Sequence, residues 1–289
     1  MISTRLAAQT SPASAFRDAG ELAYYEGLKK LVEDDAAVAA LPEKLGALSR
    51  KIFDVTRLDL MFVGEEGEEE VFRELAEGEL ALLPAERAES HVLFADATYE
   101  NEGVVTAGKV QYVAKGGNFR DHGYEFTGAM TVLETVLRYE YLWTRVRVQG
   151  GAYGAFANFY RNGDMIFCSY RDPNLSETLR VYDEMPDWLA SVELSDRELR
   201  KYIIGTMSGL DLPLTPALRG PRAMGLYFRG VTENDQESYR REVIATTAAD
   251  IAALAAPIRA VMADNRIVVM GNEQRIRAEE SLFANISNL

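Results

Sequence analysis

Cysteine and histidine are nearly absent from this sequence. Among 289 residues there is one cysteine, Cys168, and there are two histidines, His91 and His122. A single thiol excludes an internal disulfide framework, and three such side chains cannot assemble a four-ligand zinc site of Cys and His. Metal chemistry of that kind has to be supplied from outside the chain. Positive charge is also scarce, with 31 Lys and Arg against 45 Asp and Glu and a formal net charge of −14. No basic stripe runs along the sequence, which argues against nucleic acid or an anionic membrane as a partner. Apolar runs stay far below the roughly 18 residues that span a bilayer. The first sixteen residues, MISTRLAAQTSPASAF, lack the basic patch and apolar core of a signal peptide, so the chain by itself reads as cytoplasmic. That opening is polar and runs straight into an amphipathic pattern, as an internal segment of a longer protein does. Two nucleotide and hydrolase signatures, G-x-x-x-x-G-K-[ST] and G-x-S-x-G, are missing as well.

What is present is the pattern of a mixed domain. Leu22, Tyr25, Leu28 and Leu31 fall at helical spacing, and a second helix is expected from Pro42 to Phe53 with proline in its first turn. Arg57 to Gly64 alternates and predicts a strand. The acidic run from Glu65 to Glu70 leads into a helix through about residue 80, where it complements the helix dipole. Leu83 to Ser90 is polar, carries a proline and forms the expected domain boundary. Beyond it, HVLFADA (91–97) and GVVTAGKVQYVAKGG (103–117) read as strands, and a long helix is expected from about Tyr124 to Trp143. Arg145 to Gln149 alternates like another strand, and Arg161-Asn162-Gly163-Asp164 reads as a type I′ hairpin turn. Helices starting at Asn174, Ser195, Glu233 and Ala248 follow, with ALRGPRAMG (217–225) as a turn and NRIVVMG (265–271) as a short strand before a last helix. Strands and helices do not alternate strictly, so the fold class is α+β, with helices packed on one face of a mostly antiparallel sheet.

Three motifs invite chemistry. His122-Gly123-Tyr124-Glu125-Phe126 approaches the zinc motif H-x-x-E-H, but Phe126 stands where the second histidine belongs and a benzyl group ligates nothing. Cys168 lies mid-strand between Phe167 and Ser169, where burial raises a thiol pKa and leaves it inert. The segment RVRVQGGAYGAF (145–156) sets two arginines and a tyrosine around Gly150, Gly151 and Gly154. Glycines within a strand mark bulges or let another backbone approach. Arg and Tyr beside such a gap can donate to a carbonyl or an oxyanion. On an unbroken strand Arg145, Arg147 and Tyr153 share a face, and an edge strand with charged side chains explains the pattern equally well.

At these residues the sequence resembles the C-terminal half of the presequence protease branch of the pitrilysin/insulinase zinc peptidases. The resemblance is carried by R-V-Q-G-G-A-Y-G from Arg147 to Gly154, the hairpin after it, and S-Y-R-D-P-N from Ser169 to Asn174, leading into a helix with Glu177 and Thr178. Thr4-Arg5-Leu6-Ala7 with Ser11-Pro12 resembles the third of the four α+β repeats of that family. The resemblance implies that residues 1–90 are the end of the third repeat and 91–289 the fourth, non-zinc repeat. It implies a zinc metalloendopeptidase that degrades unfolded peptides, with zinc held in an N-terminal half on H-x-x-E-H plus a distal Glu. The C-terminal half closes the chamber, and its Arg and Tyr, here Arg147 and Tyr153 beside Gly150 and Gly151, hold the substrate backbone or stabilise the tetrahedral oxyanion. This chain has no zinc motif, so it is expected to bind no cofactor, to be inactive alone, and to need the N-terminal zinc-bearing half as partner. The rival expectation is a stand-alone zinc-less subunit of a separate zinc-bearing chain. Arg145 precedes the family pattern and is expected to be structural.

Overall fold

In a computed structural model of the chain, residues 1–85 and 99–289 are described. The strand expected over 91–97, and His91 with it, lie outside them. In chain order the elements are helices α1 (Ile2–Ala7), α2 (Pro12–Asp18), α3 (Leu22–Val32), α4 (Asp35–Ile52) and α5 (Glu68–Leu80), then strands β1 (Glu102–Thr106) and β2 (Gln111–Asn118). Helix α6 (Gly128–Val136) continues through wider π-type turns over Leu137–Gln149 and leads to the hairpin β3 (Gly154–Phe159) and β4 (Asp164–Asp172). After these come α7 (Ser176–Ser191), α8 (Asp196–Leu210), α9 (Pro216–Phe228), α10 (Glu233–Ala245), α11 (Ala248–Ala253), α12 (Ala255–Ala263), β5 (Arg266–Asn272), α13 (Glu273–Ala278) and β6 (Asn285–Asn288).

The chain divides into two compact units. The larger comprises Met1–Tyr24, the described part of Phe94–Asp211, and Glu237–Leu289. Its sheet has the order β3-β4-β2-β5-β1-β6. The pairs β3/β4, β4/β2 and β2/β5 are antiparallel, and β5/β1 and β1/β6 are parallel. The α+β expectation with a mostly antiparallel sheet therefore holds. Alternation along each strand decides the faces. Val113, Met165, Phe167, Ile267 and Val269 point into the main core with α6, α7, α11 and α12. Ala114, Ile166, Cys168 and Val268 point the other way and are covered by Ile2, Leu6 and Ala7 of α1. So the helices concentrate on one face, and short α1 seals part of the other.

Helix α1 is tied down electrostatically. Arg5 pairs through Nη1 with Asp18 at 2.8 Å and through Nε with Glu102 of β1, while its guanidinium lies 5.7 Å from the Tyr99 ring. Asp18 and Glu102 are buried. Burial pushes the Asp18 carboxyl pKa up, against the pull of Arg5.

The smaller unit, Tyr25–Leu93 with Leu212–Gln236, is helical in its described part. Helix α4 begins at Asp35, whose preceding Asp34 accepts from the Ala37 N–H at 3.0 Å, so Pro42 sits inside the helix instead of in its first turn. Residues 58–64 are not a strand, because alternation describes a half-buried surface and a strand still needs a neighbour to pair with. The stretch 217–225 is not a turn: Pro216 starts α9 at its favoured first position, and Pro221 is carried in the interior. Gly220 admits the Met61 side chain, whose Cε would lie 2.6 Å from an added Cβ.

Replacing Arg5 by Ala leaves Asp18 and Glu102 buried without their cation. The expected loss is about 3 kcal/mol of unfolding free energy in a urea titration.

Candidate functional site

The segment that carries the site residues is built differently from the strand the alternation suggests. Arg145 to Gln149 prolongs α6, and the glycines end it. Gly151 has φ +80° and its N–H donates to the Arg147 carbonyl at 2.9 Å, the left-handed stop that glycine supplies at little cost. The N–H of Gly150 donates to Arg145 O and that of Ala152 to Val146 O, each at 3.1 Å. A Cβ at Gly150 would lie 2.6 Å from the Val146 carbonyl oxygen. The shared parity of Arg145, Arg147 and Tyr153 therefore has no structural meaning. Arg145 instead pairs with Glu184 of α7, 3.2 Å away.

The motif Ser169 to Asn174 braces this helix end. Asn174 does not cap α7; its Nδ2 donates to the Gly150 carbonyl at 2.6 Å. Buried Asp172 in turn accepts from the Asn174 N–H at 2.9 Å and from the Thr178 hydroxyl at 2.8 Å. Between Gln111/Asp172 and Val113/Ser169 the β2/β4 register slips, so Tyr170 and Arg171 face the single residue Tyr112. Arg171 takes φ +49° at this bulge, a backbone region that side chains other than Asn, Asp and Gly seldom occupy. The hairpin turn lies where expected, but it is a type I turn closed by Gly163 N–H to Tyr160 O at 2.9 Å, with a positive φ at Gly163 and not at Asn162.

These devices bring five side chains together. The Arg147 guanidinium lies 4.3 Å from the Trp143 ring centroid and 5.5 Å from that of Tyr153, and the Arg171 guanidinium lies 5.8 Å from Tyr153. Tyr170 meets Tyr153 edge-on at 5.4 Å and lies over Gly154, where an added Cβ would come within 2.5 Å of its ring. Trp143, Tyr153 and Tyr170 are 47, 56 and 36% exposed. The result is an open surface of guanidinium and aromatic groups at the edge strand β3. Of the residues expected from sequence, Arg147 and Tyr153 are in this cluster, and Gly150 and Gly151 shape the turn between them. Trp143, Tyr170 and Arg171 are not among the expected site residues, although Tyr170 and Arg171 lie in the Ser169–Asn174 motif and Trp143 lies four residues before Arg147 on the continued helix.

The family described as the PreP C-terminal domain matches residues 101–273, more than half of the chain. The chain belongs to this family. Protein HypA of Clostridium perfringens is 37% identical over 268 residues, which cover 93% of this chain and 27% of that protein. Presequence protease 1, chloroplastic/mitochondrial, of Arabidopsis thaliana is 34% identical over 186 residues, covering 64% of this chain and 17% of the relative. The chain thus spans about a quarter or less of these relatives. Among solved structures, pitrilysin aligns with a TM-score of 0.49 at 12% identity over 71% of this chain and 23% of its own. The stretch matched to the PreP C-terminal domain contains the whole arginine and aromatic cluster.

Elsewhere in this PreP C-terminal domain the sequence-level candidates are occupied structurally. His122 sits in a short turn and its Nε2 lies 3.1 Å from Asp264, while Phe126 packs 6.0 Å from the Tyr239 ring. Burial raises the Cys168 thiol pKa to about 12. Among the described residues no group of three or more His, Cys, Asp or Glu side chains could hold a metal ion. Glu134 of α6 accepts from the Phe159 N–H at 2.6 Å and so fastens the far end of β3 to the helix. Burial lifts its pKa to about 7, more than that hydrogen bond and Arg138 lower it.

A folded-state pKa above the unfolded value favours the protonated fold, so this contribution is complete below about pH 4.5 and is lost as pH rises to about 7. It amounts to about 3 kcal/mol. In thermal melts across that range, Glu134→Gln is expected to gain stability relative to the wild type as pH rises, and a constant difference would refute the assignment.

Proposed function

We propose that this chain is the non-zinc C-terminal part of a peptide-degrading zinc metalloendopeptidase. Membership of the PreP C-terminal domain family and the short span of the chain against its relatives support that reading. In it, residues 1–90 close the third repeat and 91–289 form the fourth. In this reading the zinc is held by the N-terminal half, which is the partner, and among the described residues no group of three or more His, Cys, Asp or Glu side chains could hold a metal ion.

The task left to this chain is to grip an unfolded peptide and help close the chamber around it. The observation that carries this is the juxtaposition of half-buried Arg147 and exposed Tyr153, the guanidinium 5.5 Å from the ring, beside the edge strand β3. A guanidinium has only donors and a phenol can donate, so both match the carbonyl oxygens of an extended backbone. If the same groups follow the carbonyl as negative charge develops on it, each is worth about 3 kcal/mol of barrier. The rigid stop at Gly151 fixes the distance between the two side chains, so less ordering remains to be done on binding.

In the complete protease that carries this chain, Arg147→Ala and Tyr153→Phe are each expected to lower peptide turnover at least about tenfold with zinc content unchanged. Wild-type turnover in both variants would end the proposal.

A further inference from the structure

We propose that Arg171, with Arg147, forms a carboxylate-binding subsite for the peptide substrate, beside the groups that hold its backbone. The inference rests on the peptide-gripping reading above and adds a chemical preference to it. Three observations point to Arg171. First, it is an exposed arginine with no carboxylate partner among the described residues, and its guanidinium is engaged only with the Tyr153 ring. Second, Arg147 approaches the same ring at 5.5 Å and likewise has no carboxylate partner among the described residues. Two cations therefore lie 5.5 and 5.8 Å from one aromatic ring in a chain of net charge −14, and an anion that arrives at this ring is attracted by both. Third, Arg171 holds φ +49° at the β4 bulge. A glycine there would relieve the strain, so the chain retains a large charged side chain at a position where the backbone favours having none.

A carboxylate fits this pair better than other polar groups do. Guanidinium forks meet a carboxylate in two parallel hydrogen bonds, and the neighbouring Trp143 and Tyr153 rings contact the guanidinium groups without neutralising them. The acidic balance of the whole chain repels a strongly acidic peptide at long range, where salt screens it, while the subsite acts only on contact. Two sources supply the chemistry: the C-terminal carboxylate of the peptide, or an internal Asp or Glu.

The test compares kcat/KM of the complete protease on matched peptides. One pair differs as C-terminal acid against amide, the other as internal Glu against Gln. Wild type is expected to favour the acid form of one pair by roughly tenfold, and the pair that responds names the source. Arg171→Gly is expected to abolish that preference by lowering turnover of the acid forms roughly tenfold more than that of the neutral forms, with the melting temperature unchanged or slightly raised. No preference in wild type, or an equal loss on acid and neutral peptides in Arg171→Gly, overturns the subsite. Arg147→Ala lowers turnover on every peptide if the backbone-gripping reading holds, so its failure is told apart from failure of the subsite.

Discussion

The surface around Tyr153 depends on one backbone event, the left-handed stop at Gly151. An ordinary residue at φ +80° pays about 1 kcal/mol or more, and glycine avoids the steric part of that cost. The stop alone would fray, since a helix terminus leaves carbonyls unsatisfied. Here the Asn174 amide takes the Gly150 carbonyl, and Asn174 is itself held by Asp172, which also binds Thr178 at the start of α7. A chain of hydrogen bonds thus runs from the end of α6 through β4 into α7. Arg147 on one side of the stop and Tyr153 on the other are fixed because both flanks are anchored.

The same anchoring explains why the two conspicuous motifs occur together. Gly-Gly-Ala-Tyr-Gly supplies the turn, the ring and the bare backbone on which Tyr170 lies. Tyr-Arg-Asp-Pro-Asn supplies that Tyr170, the bulge that aims Arg171, and the Asp172 and Asn174 that brace the turn. Neither segment builds the surface alone. An edge strand is a place where backbone groups stand unpaired and a peptide can lie alongside. Order of β3 at both its ends, by the Arg171 carbonyl that accepts from Tyr153 N–H and by Glu134 at Phe159, keeps that edge straight.

Much of the architecture was legible from periodicity and punctuation. The strands at 102–118, the hairpin at Asn162-Gly163, the Ser195/Glu198 capping box and the helix from Glu233 all follow local rules that tertiary packing leaves intact. Failures came where two rules compete. Arg-Val-Arg-Val alternates like a strand, yet the helix before it continues through wide turns because Leu142 and Val146 are buried in the core. Pro42 reads as the first turn of a helix and Pro221 as part of a turn, yet each is carried inside a helix whose remaining hydrogen bonds and contacts offset one missing donor. The alternation in 58–64 is real, but among the described residues no strand pairs with it.

For the site, the pairing of Arg147 with Tyr153 rests at the level of sequence on a geometric premise that the structure replaces. Arg147 and Tyr153 were placed together by assuming a strand, in which six residues of extended chain would hold them about 20 Å apart. The helix stop instead folds the chain back between them and brings the guanidinium within 5.5 Å of the ring. Glycine was therefore needed for turning, and only secondarily for admitting a neighbour. Arg171 lies in the Ser169–Asn174 motif, but its conformation has no local signal, because a positive φ at an arginine is imposed by the register slip against β2, a contact some sixty residues away in sequence. A residue whose conformation is set by a distant strand can be found only in three dimensions. Its backbone strain is what separates it from the other exposed arginines of the chain.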